Sequence, residues 1–194
     1  MDSKTIKAMV GMGILTAIVV VLQAVASTIK IGPFSITLCL APIIIGAALY
    51  GWKAGTGLGF VFGIMVLVTG DAAPFLAINA PGTVITVLLK GCCAGLAASG
   101  VYKLLEKKGS LPAVITAGIA CPVANTSVFL LGCLVFFLDT VKQWGAAAGY
   151  ENVGAYFLFG FIGLNFVVEL AINLVLSSAI VRILQMIRKP APTT

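Results

Sequence analysis

Histidine is missing from this 194-residue sequence, and charge is scarce: twelve Lys or Arg and six Asp or Glu amount to 9% of the chain. Without imidazole there is no Ser-His or Cys-His pair to activate a nucleophile, and most hydrolytic zinc sites lose their usual ligand. No polar tract is long enough for a second soluble domain, so residues 1–194 are expected to form a single membrane domain. The five cysteines (Cys39, Cys92, Cys93, Cys121, Cys133) all fall in apolar segments and match no metal spacing. They read as small apolar packing residues, and the adjacent Cys92 and Cys93 make a poor disulfide. No catalytic residue, metal or cofactor is expected.

What the chain has instead is hydrophobicity, with 60% apolar residues and a mean hydropathy of +1.15. Ordinary globular domains carry about 25% charged residues, so this composition belongs to an all-α integral membrane protein. Six transmembrane helices are expected, at about Ile6 to Ile29, Ile36 to Tyr50, Ala54 to Thr69, Gly82 to Leu105, Leu111 to Leu138 and Val153 to Ile187. The second is short, and the last two exceed a simple span. The first is too long for a signal peptide and lacks an A-x-A-like cleavage site, so it is expected to be retained.

The net charge of +6 is a topology signal rather than a nucleic-acid footprint, because the charges cluster at segment ends. Lys4, Lys7, Lys53, Lys103, Lys107, Lys108, Arg182, Arg188 and Lys189 fall on one side, and Lys30 and Lys142 on the other. Nine basic residues against two place both termini in the cytoplasm by the positive-inside rule. The outer connections are then 30–37, 70–83 and 139–152. Each mixes Gly or Pro with an aromatic, as suits loops folded over a cavity mouth. Phe75 and Asn79, in the second of them, are candidate ligand contacts.

An ionised side chain at membrane depth costs about 2.5–3.5 kcal/mol and normally faces a cavity or a partner. Glu169 lies roughly 24 Å along the last span, flanked at four-residue intervals by Asn165 and Asn173 on one helical face. That face is either a ligand-facing stripe or interhelical glue. Lys90, about two turns into the fourth span, has three readings: snorkelling outward, pairing with Glu169, or meeting an anionic ligand. In the fifth span, "CPVANTSVF" puts Pro122 ahead of Asn125 and Thr126, a freed carbonyl followed by polar side chains. The run "GWKAGTGLGFVFG" lacks the Gly-Lys-Ser/Thr ending of a phosphate loop, and its glycines are expected to serve close helix packing. On the first span, Gly13 and Ala17 form a small-xxx-small pair, extended by Ala8 and Gly11.

Taken in order, these features resemble the substrate-binding S components of energy-coupling factor (ECF) vitamin transporters. The resemblance runs through "IGPFSIT" and "YGWKAG", "GDAAPF…GT…LLKG", "CPVANTSVFLLG" and "LNFVVELAINLVLSSAIVRIL", nearly the whole chain. It implies a six-helix protein of the prokaryotic plasma membrane that captures a micronutrient from outside and has no ATPase of its own. The implied partners are a transmembrane coupling protein and two ATP-binding-cassette ATPases, which deliver the ligand inward by toppling the S component. Gly13 and Ala17 match the two ends of the family's Ala-x-x-x-Ala docking pattern, with glycine in the first place.

The family's ligand lies toward the outer half between helices four to six, where Asn125, Thr126, Lys90, Asn165 and Glu169 fall. Riboflavin-type members carry Asn followed by Lys in helix six. Here Asn165 aligns, but Glu169 follows a turn later and the lysine is missing, which argues against riboflavin specificity. A small polar acid such as pantothenate suits a site with both Lys90 and Glu169; riboflavin, folate, lipoate and a nucleobase-like solute are the alternatives. The competing class is a free-standing proton-coupled transporter that uses Glu169, although no inverted repeat is evident.

Overall fold

A computed structural model describes residues 3–31, 34–35, 37–161 and 163–188, with all their side chains except those of residues 3, 4, 30, 31, 34, 164, 165 and 188. Helix α1 (Ser3–Ala26) leads to strands β1 (Lys30–Ile31) and β2 (Phe34–Ser35), an antiparallel pair, and then to α2 (Leu40–Tyr50) and α3 (Trp52–Val68). The short α4 (Ala73–Leu76) precedes α5 (Ala80–Leu105) and a 3-10 turn at Glu106–Lys108. Then come α6 (Ser110–Phe136), α7 (Leu138–Ala147), the single turn α8 (Val153–Ala155), a π-helical turn at Tyr156–Phe161, and α9 (Gly163–Arg188).

Four helical stretches are long and apolar enough to cross a membrane: Thr5–Ala26, Ala80–Lys108, Ser110–Phe136 and Phe166–Ile187. The apolar helices α2 and α3, with 11 and 17 residues, extend only about 16 and 26 Å against a hydrocarbon core of about 30 Å. Four of the six expected spans are therefore matched by helices of spanning length, and α2 and α3 fall short of it.

Three boundaries differ from expectation. The second segment turns helical at Leu40, after the strands Lys30–Ile31 and Phe34–Ser35; its expected start, Ile36, lies outside the described residues. That pair is also the one departure from an all-helical fold among the described residues. The fifth span stops at Phe136, and most of the expected 139–152 loop is helix α7. This helix is amphipathic: Val141 and Gly145 are buried while Asp139 and Lys142 face outward, 3.5 Å apart. Such an exposed pair contributes little to stability. The last segment opens with the Asn152-capped turn α8 and the π-helical turn. The turn's extra residue directs Tyr156, Phe157 and Phe161 into an aromatic cluster.

Helix α2 is the buried centre. It packs against α1, α3, α5, α6 and α9, and Leu40, Ile43 and Ile44 are fully buried. Contact on all sides explains why its sequence is apolar throughout rather than on one face. A single residue, Gly51, separates it from α3. Its φ of +81° lies in the left-handed region, which glycine enters without a Cβ penalty. Helices α3 and α5 cross backbone to backbone. A Cβ on Gly59 would strike the Gly91 carbonyl, one on Gly91 the Gly59 carbonyl, and Gly55 and Gly95 block each other in the same way. Close packing was the expected use of Gly55 and Gly59.

Candidate functional site

The strand pair, α4, α7 and the π-helical turn meet at one end of the bundle, and beneath them lies a cavity of about 830 Å³ counted to its open mouth. Helices α1, α3, α5, α6 and α9 all contribute walls.

Helix α5 begins where Asn79 caps it, its Oδ1 accepting the Gly82 N–H at 3.0 Å, with Pro81 in the first turn. From that start Thr83, Thr86 and Lys90 follow at three- and four-residue intervals, so they share one face, and all three line the cavity. The Lys90 ammonium lies 5.6 Å from the Phe62 ring centre and 5.2 Å from that of Phe129. Each ring face attracts it electrostatically. Among the described residues no carboxylate oxygen lies within 4.0 Å of it. Lys90 thus neither snorkels nor closes an ion pair with Glu169: it presents a cation to the cavity between two aromatic rings.

Opposite, α9 contributes Phe166 and Glu169, and α6 contributes Asn125, Thr126 and Phe129. Glu169 is 3% exposed, and its Oε1 accepts the backbone N–H of Thr37 at 3.2 Å. Asn125 is 5% exposed, and its Oδ1 has no hydrogen-bond partner among the described residues; Thr86 Oγ1 is likewise unpartnered. Buried polar atoms are rarely left so.

The mouth is held by a second carboxylate. Asp71 accepts Ser35 Oγ–H through Oδ1 and Gln23 Nε2–H through Oδ2, each at 2.5 Å. Gln23 in turn accepts from the Cys39 thiol at 3.6 Å. Asp71 therefore holds Ser35 and Glu169 holds Thr37 beside the cavity. Above it Phe75 meets Phe129, Phe137, Trp144 and Phe161 edge to face, with ring centres 5.1–6.4 Å apart. Each such pair is worth about 0.5–1.5 kcal/mol beyond burial.

Of the residues singled out from sequence, Asn125, Thr126, Lys90, Glu169 and Phe75 come together around this cavity. Asn79 does not line it; its side chain is used as the α5 cap. Asn165 lies on α9, but its side chain falls outside the described residues. Asn173 points elsewhere: its Nδ2 donates to the Glu169 carbonyl at 2.8 Å, and its helix face packs on Gly118 of α6. Gly13 and Ala17 are exposed on α1, with nothing within 4 Å of a Cβ built on Gly13. Gly11 is not part of that open surface, because Tyr50 packs against it.

Sequence reasoning missed Gln23, Ser35, Thr37, Asp71, Thr83 and Thr86. Gln23 could have been found by the rule that flagged Glu169, since it is a polar residue inside an apolar run. The threonines were legible from their spacing to Lys90. Ser35 and Thr37 carry no such signal.

A family model described as "ECF transporter, substrate-specific component" matches residues 7–181. Among curated proteins, the chain is similar to the pantothenic acid transporter PanT of Lactococcus lactis subsp. cremoris (strain MG1363). The two are 27% identical over 187 residues, covering 88% of this chain and 89% of that protein. No solved structure matches it.

Proposed function

Since the chain belongs to the substrate-specific components of ECF transporters, we propose that it captures pantothenate from outside the cell for ATP-driven uptake. Membership makes it a multi-pass prokaryotic membrane protein and a transporter component rather than an enzyme. The observation that carries the pantothenate reading is the Lys90 ammonium, set in the cavity between Phe62 and Phe129 with no carboxylate within 4.0 Å among the described residues.

Pantothenate has a carboxylate at one end, a secondary amide in the middle and two hydroxyls at the other end, beside a gem-dimethyl carbon. Its carboxylate would neutralise Lys90. Its hydroxyls would donate to Glu169, a carboxylate on the cavity wall that can only accept hydrogen bonds when ionised. Val66, Val87 and Phe62 supply apolar wall for the methyl groups. The relative named for pantothenic acid supports the same choice.

In this reading α2 and α3 complete six spans, both termini are cytoplasmic, and the cavity opens outward. The coupling protein and two ATPases supply the driving force. Calorimetry on the purified protein should show saturable pantothenate binding and none of comparable strength for riboflavin, folate or lipoate. Uptake by cells should stop when the coupling protein or the ATPases are deleted. Uptake that survives such deletion would instead favour a proton-coupled carrier built on Glu169.

The exposed α1 pair gives a separate expectation. Gly13→Trp and Ala17→Trp should abolish uptake and co-purification with the coupling protein, because the small surface lets another helix approach closely. Both variants should bind pantothenate as the parent does. Asp71→Ala should act at the mouth. With Ser35 and Gln23 released, ligand dissociation should accelerate about tenfold while association changes little, as stopped-flow fluorescence can measure.

A further inference from the structure

The charges that line the cavity do not balance. Among the described lining residues Lys90 of α5 is the cation, and Asp71 at the mouth and Glu169 of α9 are the acids. With ordinary ionisation the empty cavity therefore holds one net negative charge. The two acids are tied to one short stretch of chain. Asp71 accepts from Ser35 and Glu169 from the Thr37 N–H, and those residues are at most about 7 Å apart along the backbone. Both acids act electrostatically on the Lys90 ammonium, Glu169 more strongly than Asp71.

The neighbouring titratable groups leave that balance unchanged. Helix α6 brings Cys121 near Glu169 and Cys133 near Lys90, and the Cys39 thiol donates to Gln23 beside Asp71. Helix α2 has no ionisable side chain before Tyr50, its last residue. The π-helical turn presents Tyr156, which packs on Tyr150 and Phe161. Thiols and phenols are ordinarily neutral at pH 7.

An anionic ligand makes the imbalance worse. Its carboxylate takes up the field of Lys90, and the cavity would then hold two net negative charges just as the ligand displaces water. Like charges in a desolvated site disfavour the ionised form of the more buried group. Glu169 is that group: it is buried, whereas Asp71 is half-buried and faces a donor on each oxygen. No three His, Cys, Asp or Glu side chains gather into a metal site among the described residues.

We propose that the cavity takes up one proton from solvent with each anionic ligand, and that Glu169 carries it. The complex then keeps the net charge of the empty cavity. Protonation also widens what Glu169 can do. Ionised, it only accepts; protonated, it donates to a ligand hydroxyl oxygen while Oε1 keeps the Thr37 N–H. The inference rests on the pantothenate reading for the ligand's single negative charge, and deepens it by adding a second, obligatory partner to the binding step.

The test is calorimetric titration of pantothenate into the intact protein in detergent, repeated in buffers of different ionisation enthalpy. For the wild type the dependence of the binding enthalpy on the buffer should report uptake of about one proton per ligand, and affinity should fall about tenfold per unit as pH rises from about 6.5 to 8. The uncharged alcohol analogue, with CH2OH in place of the carboxylate, should bind without proton uptake. Glu169→Gln should lose the uptake of protons with pantothenate, and Asp71→Asn should retain it. Saturable wild-type binding with no proton uptake overturns the proposal, as does affinity that follows sodium concentration instead of pH. Uptake that persists in Glu169→Gln, or that vanishes in Asp71→Asn alone, overturns the assignment to Glu169. A wild type that binds no pantothenate at all removes the pantothenate reading, and this inference with it.

Discussion

Lys90→Met is expected to weaken pantothenate binding by about 100-fold or more. Methionine keeps the length and the apolar stem but removes the ammonium, so Phe62 and Phe129 retain a neighbour while the ligand carboxylate loses its counter-ion. Truncating one partner of a buried charge pair generally costs about 2–5 kcal/mol, and tenfold in affinity is about 1.4 kcal/mol. The lysine is itself an expense in the apoprotein, since an ionised group at this depth costs about 2.5–3.5 kcal/mol. Two ring faces offset part of that cost, and the ligand would supply the rest. The same change should leave binding of the uncharged alcohol analogue, with CH2OH in place of the carboxylate, within about threefold of the parent. Lys90→Arg should not rescue, because a planar guanidinium is longer and wider than the ammonium between the rings. If Lys90→Met binds the acid as tightly as the parent does, the carboxylate lies elsewhere in the cavity.

This charge was the most legible part of the site, and the reason is physical. In an apolar chain an ionisable residue far from a span end has few explanations, so Lys90 and Glu169 stood out. What the sequence could not give was their relation. Spacing puts Glu169, Asn165 and Asn173 on one face of a helix, but it does not say which part of that face meets the cavity. Asn173 donates back to the Glu169 carbonyl of its own helix, whereas the Glu169 carboxylate accepts from Thr37, a contact between residues 132 positions apart. Asn79 was ambiguous for a similar reason. An asparagine before Ala-Pro-Gly is a helix cap by local chemistry, and cap and ligand contact look alike until the cap bond is seen. The mouth was harder still. Ser35 and Thr37 matter through Asp71 and Glu169, and no periodicity carries such long-range pairing. The helices themselves were readable because hydropathy marks them. Their ends were less so, because the split at Phe137 and the π-helical turn at Tyr156–Phe161 arise from tertiary packing around Phe75.

The close crossing of α3 and α5 leads to the largest structural effect expected of any single residue. Gly59→Val should destabilise the protein by more than about 3 kcal/mol, because the added side chain would occupy the space of the Gly91 carbonyl. Side chains can repack around an extra methyl group, whereas a helix backbone can only move away as a unit. Moving α5 from α3 would also break the matching approach of Gly55 to Gly95 one turn along. Backbone approach of this kind is what holds membrane helices together in the absence of a hydrophobic drive between them. The midpoint of thermal unfolding in detergent should fall by about 10 °C or more, or the variant should not accumulate. Gly57→Val is the control: no atom lies within 4 Å of its Cβ position, so the midpoint should hardly shift. The damage should extend to the ligand as well. Phe62 lies three residues beyond Gly59 with its ring 3.4 Å from the Cβ position of Gly91, next to Lys90. The crossing that packs the two helices also sets the ring beneath the ammonium, so any Gly59→Val protein recovered should bind pantothenate more weakly than its stability loss alone requires.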